Sequence, residues 1–215
     1  MQETLILVPT DLERRGLAMP CHADGPNRVA LCGFGQVAAA ARTAGLLAEQ
    51  RPDRVILVGI AGRLDERLRI GAAYSFAEVA CFGVGAGSGD GFLTAGAMGW
   101  PQWAGDPTNP AAAIGDTISL EPSSASAPVG LLLTACAASA SDNDVALRRK
   151  HFPNAVAEDM EGFGVALACQ LAGVPLTIIR GISNTAGDRD TSRWQITAAL
   201  AAAASLTQTL LETPR

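Results

Sequence analysis

Seven short apolar runs punctuate the chain: TLILV (4–8), RVALC (28–32), RVILVGI (54–60), AAYSFAEVA (72–80), GLLLTA (130–135), AVAE (155–158) and PLTIIRGI (175–182). Most are continuous rather than alternating, the pattern of strands buried on both faces. Helical patterns lie between several of them. Gln36–Gln50 is rich in Ala and Leu and stops before Pro52. Asp142–His151 opens on the capping-type Asp-Asn-Asp and ends before Pro153. Gly162–Ala172 runs into Gly173, a C-cap signal. Asp190-Thr191-Ser192 can cap a final alanine-rich helix over about 193–211. Strands alternating with helices predict an α/β fold with a mixed, largely parallel sheet. Residues 83–128 break this rhythm with Gly, Pro, Ser and Trp, and their aromatics predict an ordered excursion that covers something.

Composition narrows the function classes. The chain has 215 residues, 48% of them hydrophobic, enough for one core and a single domain over 1–215. Net charge is −5 and the one lysine is Lys150, so no basic block offers itself to nucleic acid. No apolar run has the length of a membrane span, about 18 residues. The N-terminal MQETLILVPTDLE carries acids on both sides of a short apolar run, unlike a signal peptide, and the cytoplasm is expected. Cys21, Cys32, Cys81, Cys136 and Cys169 form no CxxC pair, and most read as small buried hydrophobes. His22 and His151 are far apart, which speaks against a histidine metal site or a Ser–His pair; His151 suits a helix C-terminus.

In α/β sheets ligands gather beyond the carboxyl ends of strands. There the chain places PTDLE (Asp11, Glu13), GFGQ (33–36), the Ala61–Arg63 turn, DMEG (Asp159, Met160, Glu161) and SNTAGDRD, which begins at Ser183 and contains Asn184. Each alone has a plain structural reading. GFGQ lacks the third glycine of a dinucleotide fingerprint and reads as a turn. Asp159 and Glu161 could be helix N-terminal acids, Glu13 a solvated first-turn acid, and Asn184 an Asx-turn residue. Their order in one chain is what the structural readings do not anticipate.

That order resembles the purine nucleoside phosphorylase and nucleosidase superfamily. EDMEGFGVALACQLAGVPLTIIRGISN is similar to its Met-Glu helix start, Gly-Val-Pro turn and strand ending Arg-x-Ile-Ser-Asp/Asn. GFGQVAAAARTAGLLAEQRPDRVILVGIAGRL resembles its Gly-x-Gly-Lys/Gln helix, strand and Gly-x-Ala-Gly turn. Together these cover roughly 4–82 and 129–205. VPTDLE, GWPQW and SNTAGDRDTSRW resemble, within the superfamily, the futalosine hydrolases of the alternative menaquinone pathway. The resemblance implies a three-layer α/β/α nucleoside phosphorylase-like domain, a homodimer, no cofactor and no metal.

It also implies roles. Glu161 would accept hydrogen bonds from the ribose 2′- and 3′-hydroxyls and favour a cationic sugar. Met160 would pack on the sugar. Glu13 would orient and deprotonate the attacking water, with Asp11 as its rival. Ile60, Ala61 and Gly62 would line base and sugar. Asn184 stands where adenosine-directed nucleosidases carry Asp. A 6-oxopurine presents acceptors at O6 and N7, to which an amide donates and a carboxylate does not, so Asn184 predicts hypoxanthine over adenine. The Gly-Asp-Pro-x-Arg turn of the phosphorylases is missing, which favours water over phosphate as nucleophile. For the 5′ side of the substrate, Phe92, Trp100 and Trp103 are candidate stacking surfaces, with Arg189 or Arg193 as partners for a carboxylate. The alternatives are a methylthioadenosine-type nucleosidase, an inosine-type phosphorylase and a catalytically silent binding protein on the same scaffold.

Overall fold

The structure is a computed structural model that describes residues 3–19, 25–106, 108, 113–122 and 126–213. Cys21 and His22 lie outside the described residues. The elements, in chain order, are β1 (Thr4–Val8), α1 (Asp11–Leu17), β2 (Asn27–Leu31), α2 (Gln36–Gln50), β3 (Arg54–Arg63), β4 (Ala73–Phe82), β5 (Gly85–Ala86), β6 (Leu93–Thr94), β7 (Thr117–Ser119), β8 (Val129–Ala135), α3 (Asp142–His151), β9 (Ala155–Asp159), α4 (Gly162–Ala172), β10 (Leu176–Thr185) and α5 (Ile196–Glu212).

The sheet is mixed and mostly parallel. Its path runs β10-β4-β8-β9-β3-β1-β2, and β10 also pairs with β3. Five strands thus close into a ring, β3-β10-β4-β8-β9, from which β1 and β2 extend. Strand β3 makes this possible through its length. Its first half pairs with β1, from Thr4↔Arg54 to Leu7↔Leu57, and its last residues pair with β9 at Gly62↔Glu158 and Arg63↔Ala157.

The continuous apolar runs have the expected cause. In β1, Leu5 and Leu7 face one core with α2 and α4, while Ile6 and Val8 face another with α5. Both faces are covered, so neither face of the strand admits polar residues. Helices α2 and α4 pack closely because Gly164 has no side chain; a Cβ there would stand 2.2 Å from the Gln36 carbonyl oxygen.

Helices α2, α3 and α4 occupy the expected residues, and Gly173 closes α4 at φ 67°. The cap of α3 is Ser141 rather than the acidic cluster; its Oγ accepts from Asp144 N. Helix α5 starts at Ile196, because Asp190 caps a separate 3-10 turn over Thr191–Arg193 and Gln195 N bonds the Ser183 carbonyl. Helix α1 was not anticipated. At seven residues it is too short to show a helical period, and Thr10 caps it by accepting from Glu13 N. The excursion after β4 contains the β5–β6 hairpin and β7, which pairs with β4. Phe92 is buried there, 5.1 Å from the Phe82 ring and 5.3 Å from that of His151. Cys32, Cys81 and Cys169 are buried free thiols and Cys136 is exposed. Among the described residues no helix is long and apolar enough to cross a membrane, and no acidic, Cys or His group could hold a metal ion.

Candidate active site

A cavity of about 350 Å³ opens at the carboxyl ends of β3, β9 and β10. Glu13, Ile60, Ala61, Gly62, Met160, Glu161 and Asn184, all anticipated from sequence, line it together. Six separate segments supply its walls, and the sheet brings them to one place.

Glu13 is buried although it lies in the first turn of a short helix. Its Oε2 accepts from Thr10 Oγ1 at 2.7 Å and its Oε1 from Ile60 N at 3.1 Å. The carboxylate is therefore aimed by its own helix cap and by the end of β3. Asp11, the rival acid, does not line the cavity. It is half exposed and paired with Arg14 and Arg15 at 2.6 and 2.7 Å.

Glu161 follows β9 and its side chain makes no cap hydrogen bond to the helix it precedes. Its Oε1 accepts from Gly35 N at 3.0 Å, a donor from the GFGQ turn. Gly33 and Gly35 make that turn with φ of 96° and 82°, the left-handed region open to glycine. The turn is structural, as expected, but it also orients Glu161 and brings Phe34 to the cavity wall. The helix-acid reading holds for Asp159 instead. That carboxylate accepts from Gly162 N at 2.9 Å and from Thr134 Oγ1 at 2.6 Å.

Arg180 was not singled out from the sequence and is the centre of the charge system. It is fully buried in β10. Its Nη2 donates to Asp159 at 2.6 Å and reaches Glu161 at 3.4 Å. Its Nη1 has no hydrogen-bond partner among the described residues. That nitrogen and Glu13 Oε1 both lie within 2.6 Å of where a Cβ on Gly59 would be, so the glycine makes room for them to approach. Burial pushes the Glu161 carboxyl up to about 7 from the usual 4.5; the Arg180 charge opposes this and the Asp159 charge adds to it. An arginine inside an otherwise apolar strand was the available signal, because a buried cation requires carboxylate partners.

Asn184 follows a register shift in β10 between Ile182 and Asn184. Its Oδ1 accepts from Ser183 Oγ at 2.7 Å and its Nδ2 donates to the Thr185 carbonyl at 2.9 Å. With one lone pair of the oxygen and one N–H used, the amide keeps its second N–H to offer to the cavity.

The remaining candidates divide. Arg189 lines the cavity with its guanidinium 5.2 Å from the Trp194 ring centre, and Trp194 lines it too. Arg193 instead pairs with Asp188 and Asp190 at the surface. Phe92, Trp100 and Trp103 do not line the cavity. Phe92 is consumed in packing, Trp100 is exposed, and Trp103 bridges to Ile114 within the excursion. Phe34 and Trp194 are the aromatic walls instead.

Residues 21–213 match the family model described as Phosphorylase superfamily. The chain is 33% identical over 198 residues to the futalosine hydrolase of Streptomyces coelicolor, covering 90% of this chain and 81% of that protein. In fold it matches a methylthioadenosine/S-adenosylhomocysteine nucleosidase from Neisseria meningitidis, with a TM-score of 0.75, 23% identity and 99% of each chain covered. It likewise matches the futalosine hydrolase of Helicobacter pylori, with a TM-score of 0.74, 17% identity and 98% and 97% of the two chains covered. The chain has the nucleoside phosphorylase-like fold; it belongs to the phosphorylase superfamily, as a homologue of futalosine hydrolase.

Proposed function

We propose that this chain is a cytoplasmic N-glycosyl hydrolase that cleaves futalosine to hypoxanthine and dehypoxanthine futalosine, in the alternative route to menaquinone. The observation that carries the reading is that one buried guanidinium, Arg180, meets Glu13 beside Gly59 through Nη1 and Glu161 through Nη2. Breaking the N-glycosidic bond builds positive charge on the ribose and negative charge on the purine. Glu161 accepts hydrogen bonds from the ribose hydroxyls and stabilises the developing sugar cation, in a site where burial strengthens the field. Met160 packs on the sugar face. Glu13 takes a proton from the attacking water, and the free N–H of Arg180 Nη1 holds the oxygen of that water beside it. The spare N–H of Asn184 stabilises the departing base at O6 or N7. An amide is no general acid near neutral pH, so Asn184 serves as a donor only.

Water suits this arrangement better than phosphate. The charge of Arg180 is engaged by Asp159 and Glu161, and Glu13 would repel an anion at Gly59. The reading needs no cofactor. Arg189 and Trp194 together suit a carboxylated aromatic 5′ group, by pairing and stacking. A homodimer is part of the proposal: Leu12, Phe34 and Val37 are 65%, 66% and 79% exposed, an apolar patch that a second copy would cover.

Purified protein incubated with futalosine, inosine and methylthioadenosine, with and without phosphate, tests the reading by chromatography of the free base. Hypoxanthine released from futalosine independently of phosphate is the expected result. Adenine from methylthioadenosine would move the chain to the broader nucleosidases. A phosphate requirement would make it a phosphorylase, and binding without turnover would make it a sensor.

A further inference from the structure

Glu158 is a buried carboxylate on the cavity wall that the reaction above does not use. Its Oε1 accepts from Ser139 N at 2.8 Å and its Oε2 from Ser139 Oγ at 2.7 Å. Arg148, also buried, donates to Ser139 Oγ and lies 3.3 Å from Oε2. The arginine therefore turns the serine hydroxyl onto the glutamate and pairs with its carboxylate. A carboxylate has about four acceptor positions, and Oε1 receives one protein donor here.

The sheet register defines what Glu158 faces. Gly62 on β3 pairs with Glu158 on one side and with Asn184 on the other. The two polar residues thus flank a glycine at one level, with Cα atoms roughly 10 Å apart, twice the usual strand spacing. Gly62, with no side chain, forms the floor between them and leaves room there for a bicyclic base. The donor N–H of Asn184 and the acceptor oxygen of Glu158 make a complementary pair across that floor.

We propose that Glu158 is a specificity-determining residue that accepts the N1–H of a 6-oxopurine, while Asn184 donates to its O6/N7 edge. This rests on the nucleoside-cleaving reading above and deepens it. The lactam form of hypoxanthine carries a donor at N1 and an acceptor at O6. Adenine reverses both, so its N1 lone pair would face a fixed carboxylate and its amino group would face an N–H. Two mismatches at buried polar groups reject the wrong base far more strongly than one.

A glutamate that only anchors Arg148 would stabilise the fold without reading the base, and two measurements separate the roles. Glu158→Gln keeps a carbonyl oxygen for Ser139 and adds an amide donor. Its kcat/KM ratio for futalosine over the 6-amino analogue is expected to fall at least about tenfold, measured below the melting temperature that loss of the Arg148 partner lowers. Calorimetry then compares hypoxanthine, 1-methylhypoxanthine and adenine on the unaltered protein. Methylation of N1 is expected to weaken binding at least about tenfold, and by much less in Glu158→Gln. An unchanged ratio, or equal binding of hypoxanthine and its 1-methyl form, overturns the proposal. Should the unaltered protein hydrolyse neither nucleoside, the reaction proposed above fails, and base binding alone decides the role of Glu158.

Discussion

Glu161 is held under opposing demands, since its role requires charge and its surroundings resist it. Glu161→Gln should lose activity by a hundredfold or more, about 3 kcal/mol in the barrier, with folding intact. Because burial raises the carboxyl to about 7, kcat/KM should climb with pH and level off above that value. The same shift has a stability cost of the opposite sense. A group whose folded pKa is raised contributes stability that is fully present below its unfolded value near 4.5 and is lost as pH rises through about 7. At pH 8 Glu161→Gln should therefore be more stable than the unaltered protein, by at most about 3 kcal/mol; a lower stability would show that the charge is stabilising in place. Asn184→Asp should lose more activity on hypoxanthine nucleosides than on adenine ones, because an ionised carboxylate repels both O6 and N7. Equal losses on the two would remove the amide from base selection.

At the scale of elements, the strands were legible because burial on both faces demands continuous apolar runs, as TLILV and RVILVGI show. Helices α2, α3 and α4 were legible from flanking Pro and Gly. Helix α1 was not, because seven residues complete barely two turns and its cap, Thr10, is common in loops. The closure of the sheet was not legible either: it depends on β3 pairing with both β9 and β10, and pairing over such separations leaves no local periodicity. The cavity residues that closed the strand ends were readable in order. Arg180, Glu158 and Ser139 were not, because their partners come from other segments. The aromatics of the excursion misled for a related reason: a buried Phe92 and a wall-forming aromatic have the same composition. Gly59 is the element-scale position with the sharpest consequence. Gly59→Ala would put a methyl 2.4 Å from Arg180 Nη1 and 2.6 Å from Glu13 Oε1, both already fixed by hydrogen bonds. A stability loss of about 1–3 kcal/mol and a near-complete loss of turnover are expected from denaturation and assay. Full activity in that variant would show that the space beside Gly59 is not where water reacts.

At the scale of the whole molecule, Leu12 and Phe34 are exposed apolar side chains that also line the cavity, and Val37 is exposed in the same helix-start segment as Phe34. Sedimentation equilibrium should give twice the 22.0 kDa of the chain, and a monomer at micromolar concentration would count against the dimer. The closed ring of strands carries a further consequence, for hydrogen exchange. At Gly62 the backbone of β3 has a neighbour on each side, and the Ile60 amide is bonded by Glu13. The Gly62 amide cannot meet solvent by fraying of an edge; the ring must break first, whereas the Ile60 amide is freed once α1 carries Glu13 away. Exchange at Gly62 should track global unfolding, while amides of the β5–β6 hairpin exchange early. Activity should then vanish in step with the cooperative transition, because a partly opened chain retains no partial version of the cavity floor.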